Sequence, residues 1–182
     1  GRLFVAGIEV RAGTVDDDEQ GAGTDWLLAQ REVVVRHGRV RWVEDRTGAA
    51  PVALTDVDVV LRNGLARHDI RIDATPPTQA GARFTLVGRF TQPLLSQRSN
   101  WRRWHGTLYA ELPQADAAAV AAWLPPLPVQ ARAGSGALRA WVDVRDGRPQ
   151  GVTADVALRD VALHFPGPDR LLALDRLQGR VE

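Results

Sequence analysis

Apolar and polar residues alternate along most of this chain, and the period is two. In Arg67–Ala74, His68, Ile70, Ile72 and Ala74 oppose Arg67, Asp69, Arg71 and Asp73. In Arg83–Phe90, Phe84, Leu86, Gly88 and Phe90 fall on one side, and in Trp104–Leu112 the same holds for Trp104, Gly106, Leu108, Ala110 and Leu112. Ala137–Val144 repeats the pattern with Leu138, Ala140, Val142 and Val144, and Val152–Leu158 with Val152, Ala154, Val156 and Leu158. Alternation at this period predicts strands with one greasy and one wet face. Arg31–Asn63 reads as three strands with two turns. Val33–Val35 is a β-branched run, His37-Gly38 supplies the first turn, and Thr47-Gly48 with Pro51 the second. In the third strand Val57, Val59 and Leu61 share one side, and Asp56, Asp58, Val60 and Arg62 the other. Arg2–Arg11, broken by Gly7, reads as a further strand. Ala162–Phe165 and Leu171–Val181 add two or three more.

Asn63-Gly64 and Asp146-Gly147 are hairpin turns by composition, so the sheet is expected to be mostly antiparallel and, with this many strands, curved. Two short helices interrupt it. Thr24-Asp25 can cap a helix over Trp26–Gln30. Ala115–Trp123 has the best helical propensity of the chain, and Pro125, Pro126 and Pro128 end it. The expected fold is therefore mainly β: one curved sheet of ten or eleven strands with two short helices, in a single segment spanning residues 1–182.

Composition narrows the classes of function. Cysteine is absent, which removes disulfides, thiolate metal sites and a thiol nucleophile. There are 23 basic residues, all Arg, against 22 acidic ones, for a net charge of +1. A near-neutral balance without a basic block argues against nucleic acid as the partner. No run of ~18 apolar residues is present to span a membrane. The chain begins at Gly1 and contains no Met, as expected for a piece of a longer protein.

Candidate chemistry is sparse. Asp16–Glu19 is a four-residue acidic run, but it lacks the alternating oxygen ligands of a calcium loop and reads as a solvated loop. His37, His68, His105 and His164 have no partners at metal-ligand spacing. Ala133-Gly134-Ser135-Gly136 lacks the flanking glycines of a nucleophile elbow and reads as a turn or strand lead-in. Asp56 and Asp58 share a strand face and could act as an acid/base pair. The alternative is a wet face balanced by Arg62 and Arg71. Trp101-Arg102-Arg103-Trp104 could stack on a base or meet an anionic head group. Its alternative is a strand start with Trp104 inward and both Arg residues solvated. With no phosphate loop or dinucleotide fingerprint, the residues argue against an enzyme, a metal site or a cofactor.

The run from Asp25 to Ala74 resembles the AsmA-like family, and within it the YhdP branch. The resemblance rests on Trp26-Leu27-Leu28, Arg39-Val40-Arg41-Trp42, Asp45, Gly48 and Leu54-Thr55-Asp56-Val57-Asp58, with Arg67–Pro77 in support. It covers Asp25–Phe90 well and the remainder loosely. It implies a periplasmic segment of a large bacterial envelope protein, tethered to the inner membrane through flanking regions. The implied function is non-catalytic: a groove conducting phospholipid between inner and outer membranes, its partners being acyl chains. The other reading is a structural or protein-interaction module of the envelope built on the same sheet. If the groove exists, its lining is expected from Val57, Val59, Leu61, Ile70, Ile72, Phe84, Leu86, Leu108, Leu138, Val142, Val156 and Leu158.

Overall fold

The computed structural model describes residues 2–5, 8–11, 26–43, 52–93, 100–121, 129–166 and 170–182. The acidic run, Thr24-Asp25, Asp45, Thr47-Gly48, Pro51 and Trp123–Pro128 lie outside the described residues.

Ten strands form one antiparallel sheet: β1 Arg2–Val5, β2 Ile8–Arg11, β3 Glu32–Val43, β4 Val52–Asn63, β5 Arg67–Thr75, β6 Phe84–Thr91, β7 His105–Asp116, β8 Gln130–Arg145, β9 Arg148–Phe165 and β10 Arg170–Val181. Their order is β10-β9-β8-β7-β6-β5-β4-β3-β1-β2. From β3 to β10 each strand thus lies beside the next in sequence, as hairpin connections dictate. The sheet is curved and open, with β10 and β2 at its edges. Helix α1 covers residues 26–29 and α2 covers Ala117–Ala121; a 3-10 turn spans Trp101–Arg103.

The mainly β, antiparallel, curved architecture with short helices is as the alternation predicts. Several local expectations are corrected. His37-Gly38 is not a turn. β3 continues through it, with His37 at φ 52° as an extra residue between the pairs Val35–Val59 and Gly38–Val57. Asp56 at φ 46° is the matching extra residue of β4, so residues 31–63 hold two long strands rather than three. A bulge on each partner bends the pair without breaking its ladder. Arg2–Arg11 splits into two paired strands. Residues 133–136 lie inside β8, and Ala162–Phe165 is the end of β9. Helix α2 starts at Ala117 rather than Ala115, because Asp116 still belongs to β7. Its Oδ1 accepts the Ala119 N–H at 2.7 Å and caps the turn. The Asp146-Gly147 turn has φ 52° and 65°, the doubly positive geometry of a two-residue hairpin.

Burial is concentrated at the two ends of the strands. At one end Asn63 Nδ2 donates to the carbonyls of Leu27 at 3.3 Å and Gln30 at 2.8 Å, holding α1 where Leu28 and Leu61 are buried. At the other end the β5–β6 connection folds against β7. Asp116 N–H donates to Ala80 O at 3.0 Å and Ala82 N–H to Gln114 O at 2.8 Å, with Ala74, Ala80 and Ala115 buried. Gly81 crosses Gln114 at φ 138° so closely that a Cβ would strike its carbonyl oxygen. Beside this closure α2 packs on β8: a Cβ at Gly134 would lie 3.3 Å from Ala117 Cβ and 3.4 Å from Val161 Cγ2.

Candidate functional site

Directly opposed residues of an antiparallel pair point to the same side of the sheet. The register therefore traces each face strand by strand. One row runs Val35, Val59, Ile72, Leu86, Ala110, Ala140, Ala154, Val181. A second runs Val33, Leu61, Ile70, Gly88, Leu108, Val142, Val152. Leu112, Leu138 and Val156 continue a third, Gly136, Leu158 and Leu177 a fourth, and Phe84 faces Ala74. All twelve residues expected from the sequence fall on this one face, with Val57 placed there opposite Gly38. Val57 and Leu61 are fully buried; the other ten are half-buried. Among the described residues, the middle of the face is lined by side chains that shelter one another only in part.

The small residues form part of the pattern. Ala110, Ala140 and Ala154 stand side by side on three adjacent strands, flanked by Leu86 and Val181. Alanine on a pleated surface leaves a depression between taller neighbours. Sequence spacing places each Ala on the correct face, but only the register aligns them.

The opposite face carries a ladder of ion pairs beside an apolar and aromatic row of Val34, Val60, Val87, Tyr109 and Trp141. Arg71 donates twice to Asp73, at 2.7 and 2.9 Å, and Thr85 Oγ1 donates to the same carboxylate at 2.6 Å. Arg139 reaches Glu111 at 3.1 Å, and Arg180 grips Asp155 at 2.6 and 2.9 Å. Asp73, Thr85, Glu111, Arg139, Asp155 and Arg180 are successive cross-strand neighbours, so the polar groups make a ladder across six strands. The Arg71 hydrogen bond holds the Asp73 carboxyl below the ordinary aspartate value, and the Arg180 hydrogen bond does the same for Asp155.

The Asp56–Asp58 pair does not assemble. The bulge takes Asp56 out of alternation. Asp58 accepts the His37 backbone N–H at 2.9 Å and an Arg83 N–H at 2.8 Å; chiefly the first holds its carboxyl below the ordinary value. Arg83 also donates to the Asp56 carbonyl at 2.6 Å. The Asp58 carboxylate and the Asp56 backbone carbonyl thus hold the double bulge together. No group of three His, Asp or Glu residues that could hold a metal occurs among the described residues. Nor does any described helix have the length and apolarity to cross a membrane.

One cluster on the apolar face was only half legible. His68 is fully buried and stacks on Trp104, with ring centroids 4.2 Å apart and planes within 5°; Phe90 packs at 5.8 Å. His68 Nδ1 lies 2.7 Å from Asn63 Oδ1, a carbonyl oxygen, so the ring nitrogen donates. Asn63 passes the linkage to the α1 carbonyls. The alternation had put His68 and Trp104 on apolar faces; their meeting across β6 depends on the register of three strands.

An open antiparallel sheet with a ladder of ion pairs on one face and an incompletely covered apolar face on the other defines a β-scaffold that presents a continuous apolar surface. The family described as YhdP protein matches residues 7–182, and the chain belongs to that family. This is a bacterial envelope family of lipid-transport type. Comparison with curated proteins and with solved structures finds no match to this chain.

Proposed function

We propose that the apolar face is a lipid-conducting surface: a non-catalytic segment along which phospholipid acyl chains pass between the inner and outer membranes. The chain would act in the periplasm, tethered to the inner membrane through other parts of a larger protein. The carrying observation is the alignment of ten half-buried apolar residues on one face, while the reverse carries the Asp73, Glu111 and Asp155 ion pairs. Water is a poor solvent for such a surface, and each acyl methylene laid on it gains ~0.8 kcal/mol when fully buried. Non-directional binding of this kind needs no specific contact. It also lets a chain slide, because neighbouring positions along the rows are chemically alike.

The test is site-specific photo-crosslinking in the full-length protein in cells. A crosslinker at Ile72 or Leu86 is expected to capture phospholipid, and one at Arg71, on the reverse face, is not. Equal capture from both faces, or none from either, would favour a structural module whose apolar face is filled by protein.

A further inference from the structure

The Trp-Arg-Arg-Trp run is not absorbed by the apolar face. Trp104 turns inward onto His68, whereas Trp101 is 50% exposed. The Arg102 guanidinium lies 5.1 Å from the centre of the Trp101 ring, a cation–π contact that leaves its charge toward solvent. The 3-10 turn carrying these residues is packed against the β8–β9 hairpin. Gly147 N–H donates to Trp104 O at 3.2 Å, and a Cβ at Gly147 would come within 2.8 Å of Arg102 Cα and 3.1 Å of Trp101 Cε3. Asp146 N–H donates to His105 Nδ1 at 3.3 Å. This fit brings Arg145 and Arg148, which face each other directly across the hairpin, to the same corner as Arg102 and Arg103.

All four guanidinium groups are exposed, and none has a carboxylate partner among the described residues. Asp143 accepts from Thr107 at 3.4 Å, and Asp146, between the two hairpin arginines in sequence, faces His105 at 3.8 Å. Like charges directly opposite one another, as at Arg145 and Arg148, are unfavourable unless a counter-ion is present. The β4–β5 turn, at the same end of the strands and two strands away, carries Leu65, which is 84% exposed. That turn is held by Gln92, whose N–H donates to Ala66 O and whose Nε2 donates to Leu65 O. An exposed indole on a fixed turn beside four arginines, with an exposed leucine at the same end of the sheet, has the chemistry of an interfacial contact with a bilayer. Apolar tips enter the headgroup layer while guanidiniums meet phosphates.

We propose that this corner docks on the surface of a bilayer containing anionic phospholipid. The contact is separate from the apolar face and does not rest on the lipid-conducting reading. Flotation of the 182-residue chain with vesicles tests it. Binding is expected to vesicles of phosphatidylcholine with phosphatidylglycerol added, much less to phosphatidylcholine alone, and to weaken as salt is raised. Each Arg→Ala change should lower partitioning roughly fivefold, and Arg145→Ala with Arg148→Ala together about 25-fold. Trp101→Ala should weaken binding to both kinds of vesicle. The Arg145/Arg148 double variant should leave lipid capture by a crosslinker at Leu86 unchanged, which separates this contact from conduction. Indifference to phosphatidylglycerol, or unchanged binding of the double variant, would overturn the proposal. Displacement by millimolar inorganic phosphate at constant ionic strength would do so too, because it would reveal a site for the free anion.

Discussion

The two faces of this sheet share one backbone and one register, yet they are in opposite states. On the charged side, Asp73, Asp155 and Glu111 each have an arginine within hydrogen-bonding distance, and water completes what remains. On the apolar side, Ile72, Leu86, Leu108 and Val142 have only their neighbours, and burial deepens at Leu61, at Val57 beside the double bulge, and at Ala74 and Ala115 near the other end. Exposed ion pairs contribute little, ~0–1 kcal/mol each, so the tidy face is not what holds the sheet. Stability rests on the backbone ladder and on the closures at the strand ends. The difference teaches that a sheet can be clamped at its ends and still leave a continuous apolar surface between them.

The sharpest way to break this comparison is to put the same charge at a clamped and at an open position of one strand. Val161 is 1% exposed near α2, and Val152, on the same strand, is 51% exposed. Val161→Asp should cost several kcal/mol in denaturant unfolding, because its carboxylate would be desolvated without a partner. Val152→Asp should stay within about 0.5 kcal/mol, as for an ordinary surface change. Similar losses at both sites would show that the open part of the face is covered as well.

Next in size is Gly81→Ala. The added methyl meets the Gln114 carbonyl oxygen, and φ 138° disfavours any side chain. A loss of roughly 1–3 kcal/mol is expected, with hydrogen exchange rising first in the β5–β6 connection. A neutral result would mean that this closure does not clamp the end of the sheet.

The charged face should show itself in pH. Asp58, Asp73 and Asp155 are depressed in the folded state, by the His37 N–H, by Arg71 and by Arg180 respectively. A depressed carboxyl contributes stability that is fully present above its unfolded value, near pH 4, and is lost as pH falls through the folded value. Melting temperature should therefore decline on acidification below about pH 4, and Asp73→Asn should make the decline shallower. A melting temperature that rises over this range would contradict the pairing. The smallest effect belongs to Arg139→Gln, which removes an exposed pair with Glu111 and should change unfolding free energy by under about 1 kcal/mol.

Much of the architecture could be read locally. The side of a strand to which a residue points depends only on its parity, so the twelve apolar positions were identifiable without knowing which strands are neighbours. Asp146-Gly147 likewise specifies its own turn, because both residues accept positive φ. The failures are informative for the same reason. His37-Gly38 and Asp56 carry turn-like chemistry, and a bulge uses that chemistry without reversing the chain. A bulge needs a partner strand: the His37 N–H meets Asp58, 21 positions away, and Arg83 secures the other side from β6's approach. Ala115 and Asp116 have helical or capping propensity, yet they remain in β7 because they pair with Gly136 and Ser135.

The candidate surface divides along the same line. Sequence by itself determined that the strands are amphipathic and that the apolar set includes the residues from Val57 to Leu158. These are matters of residue type and period two. Only the tertiary structure decided that Ala110, Ala140 and Ala154 align, that His68 stacks on Trp104, and that four arginines gather beside Trp101. It also decided that α1 and α2 are held at opposite ends of the strands while the middle of the face stays half-exposed. The physical reason is that a strand's pattern fixes which side avoids water, whereas the cover on that side is supplied by distant segments whose positions follow from register, bulges and turns.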